Sequence, residues 1–244
     1  MHEHPTVLIT GAAHRIGATT ARFLHAAGMN IVIHYRGSRA AAEALQAELE
    51  ARRPASVALV QADLHDTGLL PALVEQAAEA WGRLDVLINN ASSFYATPMG
   101  KVTEAEWDDL LGSNLKAPFF LAQAAAPFLR AAGGCIVNIV DIHAERPLRE
   151  FPVYSIAKAG LVMLTKALAA ELGPEVRVNG VAPGAILWPE HLDEAGREKI
   201  VSRTFLKRQG APEDIARAIR YFIQDAPYVT GQILAVDGGR SLNS

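Results

Sequence analysis

Val7-Leu8-Ile9-Thr10-Gly11-Ala12-Ala13-His14-Arg15-Ile16-Gly17 is the stretch whose reading decides the fold. Its first three residues form a short apolar run, the pattern of a parallel strand buried on both faces. From Ile16 to Ala27 apolar residues return at helical spacing, and Gly28 stands where a C-terminal cap belongs. Between strand and helix, Gly11 and Gly17 permit a tight turn and a close approach of backbone to a diphosphate, which the helix N-terminus stabilises. Two glycines alone also suit an ordinary strand-to-helix turn, and the middle glycine of the dinucleotide fingerprint is Arg15 here. Position at the first strand–helix junction favours the nucleotide. Arg15 then places a guanidinium beside phosphates, whereas a merely solvated first-turn arginine would oppose the helix dipole.

The same rhythm runs outward from this turn. Strand patterns fall at Asn30 to Tyr35, Ser56 to Gln61, Val86 to Ile88, Cys135 to Val140, Val176 to Val181 and Gln232 to Val236. Helical patterns fall at Ser38 to Arg53, stopped by Pro54, at Thr67 to Trp81 and at Pro152 to Leu172. Strands separated by helices of this length imply right-handed crossovers and a parallel sheet covered on both faces. The prediction is a doubly wound α/β fold, one domain over residues 1–244. Gly184 to Lys207 breaks the rhythm and reads as an excursion from the sheet. In such a sheet the ligand sits at the carboxyl ends of the strands.

Composition agrees. Of 244 residues 50% are apolar and 20% charged, enough for a large core and too apolar for disorder. A net charge of −3 and a pI near 6.2 give no footprint for nucleic acid. The single cysteine, Cys135, cannot form an internal disulfide, which suits a reducing compartment, and it reads as a core residue. No contiguous apolar run approaches the roughly 18 residues of a membrane helix. Met1 to Pro5 has none of the marks of a signal peptide. His2 and His4 lack further ligands at zinc-like spacing, so no metal is expected. The expectation is a soluble, cytoplasmic protein without membrane or nucleic-acid partners.

Chemistry concentrates after the strands. His34-Tyr35-Arg36-Gly37-Ser38-Arg39 offers no carboxylate for ribose hydroxyls, and its arginines suit a 2′-phosphate, so NADPH is the expected cofactor. Asp63 can accept from an adenine amino group or cap the next helix. Tyr154 and Lys158 share a helix face at i, i+4, where an ammonium beside a phenol favours phenolate. Asp141 follows a strand and lies thirteen residues before the tyrosine; it can share a proton there or cap a turn.

Thr10-Gly11 with Gly17, Asn89-Asn90-Ala91, Asn114, Tyr154 with Lys158, Pro183-Gly184 and Val236-Asp237-Gly238-Gly239 together resemble the short-chain dehydrogenase/reductases over nearly the whole chain. The resemblance implies a Rossmann fold, a homotetramer and a Tyr-Lys-Asn relay. In that relay Lys158 binds the nicotinamide ribose and lowers the Tyr154 pKa, while Asn114 positions a water. It also implies cofactor contacts from Gly11, Arg15, Ile16 and Gly17 at the first turn and from Tyr35, Arg36 and Ser38 at the second strand. Further contacts are expected from Asp63, Leu64, Asn90, Ala91, Pro183 and Gly184. The family usually has serine where Asp141 stands and glycine where Arg15 stands. Both departures are similar to pteridine reductases, as are His34-Tyr35, Ala51-Arg52-Arg53-Pro54, Asn89 to Tyr95 and Gly112-Ser113-Asn114. By that resemblance Arg15, Ser92, Asp141 and Tyr154 face a pterin and Phe94 stacks on it; otherwise Phe94 packs under its loop. Gly37 interrupts the expected arginine–serine pair, leaving both Arg36 and Arg39 as candidates for the 2′-phosphate.

Aspartate in place of serine has a chemical rationale. Serine donates to a carbonyl oxygen, whereas reducing a pterin C=N bond requires a hydride at carbon and a proton at nitrogen. Asp141 beside Tyr154 can share and pass that proton. The expected activity is therefore NADPH-dependent reduction of dihydropterins, with dihydrofolate a related substrate and dihydromonapterin reductases inside the same reading. The alternative is a ketoreductase such as a 3-oxoacyl carrier-protein reductase. A weaker one is a non-catalytic nucleotide sensor, which could dispense with Tyr154, Lys158 and Asn114. Residues 185–207, with Trp188 and His191, are the expected substrate lid; His143 either lines the pocket or is a plain loop histidine.

Overall fold

The computed structural model describes residues 4–188 and 193–243; His2 and His191 lie outside them. Strands β1 (Thr6–Ile9), β2 (Asn30–Tyr35), β3 (Val57–Gln61), β4 (Val86–Asn89), β5 (Cys135–Ile139), β6 (Arg177–Pro183) and β7 (Ile233–Val236) form one sheet. Their order is β3-β2-β1-β4-β5-β6-β7, parallel throughout. The register pairs Ile9 with Ile33 on one side and with Ile88 on the other.

Alternate residues of each strand feed two cores. Leu8, Val32, Leu87 and Ile136 point to one face, which α3 (Leu70–Glu79), α5 (Ala117–Ala132) and α6 (Pro152–Leu172) cover. Val7, Ile9, Ile31, Ile33, Ile88 and Val137 point to the other, covered by α1 (Arg15–Ala26), α2 (Arg39–Glu50) and α8 (Pro212–Arg220). Because both faces are buried, the strands read as continuous apolar runs. Each fully buried aliphatic side chain contributes about 1.5–3 kcal/mol.

Strand and helix boundaries agree with the sequence patterns to within a few residues, with three additions, one of them α8, for which no pattern was assigned. The stretch from Thr103 to Ala132, where the apolar pattern assigned no element, holds α4 (Glu104–Leu111), a π-helical turn at Gly112–Lys116, and α5. The Thr103 hydroxyl accepts from Glu106 N at 3.3 Å and the Glu106 carboxylate accepts from Thr103 N at 2.8 Å, a reciprocal cap that starts α4. The excursion after β6 contains α7 (Glu194–Ser202) and lies outside the sheet. One expectation is corrected: α6, at 21 residues and a mean hydropathy of 1.3, is long and apolar enough by composition to cross a membrane. Reading contiguous runs hid this because Ser155, Lys158, Thr165 and Lys166 interrupt it. In the fold 61% of its most apolar 18-residue stretch is buried inside the protein, against the sheet and α5.

Candidate active site

Strands β1 and β4 are neighbours whose successors lie on opposite sides of the sheet, which opens a crevice at their carboxyl ends. The turn lining it is locked from both sides. Thr10 Oγ1 accepts from Asn90 N at 2.9 Å and Ala91 N at 3.0 Å, while Asn90 Nδ2 donates to Thr10 O at 2.8 Å and Gly11 O at 3.1 Å. Gly11 has φ +61°, and a Cβ at Gly17 would stand 2.5 Å from Gly11 O. Helix α1 has no acidic residue in its first turn and no side-chain cap. Its first N–H groups are thus free to meet an anion. Arg15, exposed and at φ +53°, makes no side-chain bond to a described residue. A glycine cradle, an uncapped helix start and an unpaired guanidinium fit a diphosphate. The Asn90 amide, by contrast, is engaged by the turn itself, and Ile16 packs against the core.

One buried residue that the sequence reading quoted without a role has one here. His34, on β2 and 2% exposed, accepts from Gly11 N at 3.1 Å through Nδ1 and donates from Nε2 to Ala62 O at 3.2 Å. It therefore holds the phosphate turn to the loop after β3 as a neutral imidazole. Burial, against smaller pulls from Ala62 O and Asp63, pushes it down to about 4. A folded pKa below the unfolded one means that the unfolded chain takes up the proton first as pH falls. Stability should be intact above about pH 6.5 and drop by about 3 kcal/mol on acidification towards pH 4. Urea unfolding at pH 7 and pH 4.5 checks this. The acid-induced drop should be smaller in His34→Leu, and an equal drop in both proteins would assign it to other groups.

Around the second strand end, Tyr35 is buried and the Arg39 guanidinium lies 5.9 Å from its ring centroid. Arg39 also donates to Gln61 Oε1 at 3.1 Å and Glu43 Oε1 at 3.4 Å, whereas the exposed Arg36 side chain makes no bond to a described residue. Ser38 precedes α2 without capping it. Asp63 Oδ1 accepts from His65 N at 3.0 Å, so the carboxylate shapes its own loop, and Leu64 is a core residue.

Tyr154, Asp141 and Lys158 come together at the ends of β5 and α6. The Tyr154 hydroxyl donates to Asp141 Oδ2 at 2.8 Å, and Asp141 Oδ1 accepts from His143 N at 2.8 Å. The aspartate is both a turn cap and a partner of the phenol, one oxygen for each. Lys158 Nζ donates to Ile139 O at 2.9 Å and lies 5.6 Å from the Tyr154 ring centroid. The expectation that lysine would favour phenolate is corrected. Burial foremost, and then the Asp141 carboxylate, raise the Tyr154 phenol well above its ordinary value, so it is held protonated. Burial pushes Lys158 down to about 8, with Asp141 pulling the other way. Asn114 sits in the π-helical turn and donates to Ser93 O at 3.0 Å and Leu110 O at 2.9 Å. Its Oδ1 is buried with no partner among the described residues, an acceptor left open for a water or ligand.

Phe94, nearly half exposed, stands edge-on to the Tyr154 ring at 4.8 Å, so it does not pack under its loop. One of its faces is covered by Phe151, stacked 4.7 Å away with its plane nearly parallel, a partner that no sequence pattern indicated. Ser92 is exposed on the same loop. Arg240, in the turn after β7, was also missed: burial lowers its guanidinium while Asp141 and Asp237 pull it back up. Pro183 and Gly184 end β6 so close to the β7 turn that a Cβ at Gly184 would meet Asp237 Cα at 2.6 Å. His143 Nδ1 is bonded to Arg146 O at 2.9 Å, and Trp188 lines a cavity of about 630 Å³ against α7. His4 bonds to Gly28 O.

A family model described as enoyl-(acyl carrier protein) reductase matches residues 11–241. The chain is similar to pteridine reductase 1 of Leishmania tarentolae, 37% identical over 279 residues that cover 98% of this chain and 96% of the relative. It is also similar to the 3-oxoacyl-(acyl-carrier-protein) reductase FabG of Staphylococcus aureus, 35% identical over 239 residues covering 96% and 97%. A 3beta-hydroxysteroid dehydrogenase 1 of Eggerthella lenta is 36% identical over 248 residues covering 97% and 94%.

Proposed function

Since the chain belongs to the short-chain dehydrogenase/reductase family, whose reductases of this type use a nicotinamide cofactor, we propose that it reduces the C=N bond of a dihydropterin with NADPH. Identity to the pteridine reductase and to the ketoreductase is nearly the same, so the choice of substrate rests on the site. The observation that carries it is the 2.8 Å bond between Tyr154 and Asp141. A ketone oxygen is served by a neutral hydroxyl donor, and a carboxylate at that place would repel it. A ring nitrogen that must gain a proton is served by a protonated phenol backed by a carboxylate.

NADPH, when bound, supplies the hydride. The free Arg36 guanidinium is the group available to a 2′-phosphate, with Arg39 tied to Gln61, Glu43 and the Tyr35 ring. The α1 start and Arg15 take the diphosphate, and Asn114 Oδ1 is the buried acceptor open to a relay water. Tyr154 delivers its proton toward the ring nitrogen, and Asp141 and Arg240 hold the local charge at the mouth. Phe94, backed by Phe151, covers the flat ring on its open face. The excursion after β6 that carries α7 serves as the lid over this end.

Oxidation of NADPH measured side by side with dihydrobiopterin, dihydrofolate and an acetoacetyl thioester tests the proposal. Turnover is expected with the pterin, and with NADPH preferred over NADH by about one to two orders of magnitude, the worth of one charge-assisted contact. Turnover of the thioester alone would make the chain a ketoreductase.

A further inference from the structure

Three side chains outside the proton-handling group join the two loops that frame the crevice. Tyr95, next to Phe94, donates its hydroxyl to Asp109 Oδ2 at 2.9 Å. The other oxygen of that carboxylate, Oδ1, lies 3.2 Å from His65 Nε2. His65 in turn gives its backbone N–H to Asp63 Oδ1 at 3.0 Å. The path runs from the loop after β3, through α4, to the loop after β4. Space for it is provided by a missing side chain: a Cβ at Gly112 would come within 2.6 Å of His65 Nδ1. Burial, and then Asp109, push the Tyr95 phenol up to about 12, so its hydroxyl stays a donor.

Residues 92–98 form neither helix nor strand; besides Tyr95 they are anchored by Thr97 N to Glu150 O at 2.7 Å, by the Ser93 contacts with Ser113 and Asn114, and by the Phe94 ring against Phe151 and Tyr154. Such a segment samples several conformers unless it is fastened, and fixing one end lowers the cost of ordering the other. We propose that Tyr95, Asp109 and His65 are positioning residues that couple the cofactor and substrate ends of the site. Engagement of an adenine at Asp63–Leu64 fixes His65, and through Asp109 and Tyr95 this sets Phe94 beside Tyr154. The inference rests on the reading of Asp63–Leu64 as cofactor contacts and of Phe94 as the residue that covers the substrate.

Hydrogen–deuterium exchange of the 93–109 segment with and without NADPH decides it, in the wild type, Tyr95→Phe, Asp109→Ala and His65→Ala. Fluorescence titration gives cofactor affinity and steady-state assays give dihydropterin kinetics. NADPH should slow exchange in the wild type and leave it unchanged in the three variants, whose cofactor Kd stays within about threefold. Dihydropterin KM should rise about tenfold with kcat little altered, the loss of one hydrogen bond to a charged group. Asp109→Ala combined with Tyr95→Phe should be no worse than Asp109→Ala alone. Equal NADPH protection in all four proteins overturns the coupling. A wild-type chain that does not bind NADPH overturns the functional reading and the coupling with it. If NADPH binds and dihydropterin is not reduced, the substrate reading alone falls, and the exchange comparison still decides the coupling.

Discussion

Tyr154→Phe should lower turnover by about two to four orders of magnitude, the range for removing a positioned proton donor. Cofactor affinity should stay near that of the wild type. The phenylalanine keeps the ring that meets Phe94 edge-on at 4.8 Å and lies beside Lys158, so packing at the base of α6 survives. What disappears is the hydroxyl, and with it the proton held 2.8 Å from Asp141. Because Tyr154 is held protonated well above its ordinary range, it imposes no alkaline limit on a reduction run near neutrality. Lys158 does. At about 8 its ammonium is the first charge in the group to be lost as pH rises, so kcat/KM should fall through that region. Measurement of kcat/KM against pH in the wild type, with single-point assays of the variant, checks both statements. Retention of more than about a tenth of the activity by Tyr154→Phe would remove the phenol from the proton path.

How much of this was legible beforehand differs between backbone and side chains. Strand β2 could be read to the residue because Asn30 to Tyr35 is a buried run between a helix cap glycine and a polar loop. Helix α6 began where Pro152 allows a first turn. Helix α4 was passed over although Thr103 and Glu106 carried the signature of a cap; its apolar face is short, and only Leu110 is buried. The Tyr154–Lys158 spacing gave the right helix face and the wrong direction for the phenol. Spacing along one helix shows that an ammonium is near, but not that the whole group is buried, and burial is the larger effect here. His34, Phe151, Arg240 and the Tyr95–Asp109–His65 path were invisible for a related reason. Each acts through a partner on another element, such as His34 with Gly11 and Ala62, and no periodicity records such contacts.

Gly17→Ala tests the other half of the site. The added methyl would stand 2.5 Å from Gly11 O, 2.7 Å from Asn90 Nδ2 and 2.9 Å from Ala12 Cα. Two of these are backbone atoms, and the third belongs to the amide that fastens Thr10 and Gly11, so no flexible side-chain end can swing away. Either α1 moves off the turn or the turn opens. In both cases the first N–H groups of α1 and Arg15 no longer converge on one anion. Overpacking of this kind costs about 1–3 kcal/mol, which as lost cofactor binding is about one to two orders of magnitude in Kd. Asn90→Ala removes the obstructing amide but also the bonds that lock the turn, so combining it with Gly17→Ala should not restore affinity. The readout is the melting temperature with and without NADPH. The free protein should lose only a few degrees, while the rise produced by saturating NADPH in the wild type should largely vanish in the variant. An undiminished rise would mean that the diphosphate is held elsewhere than at the Gly11–Gly17 turn.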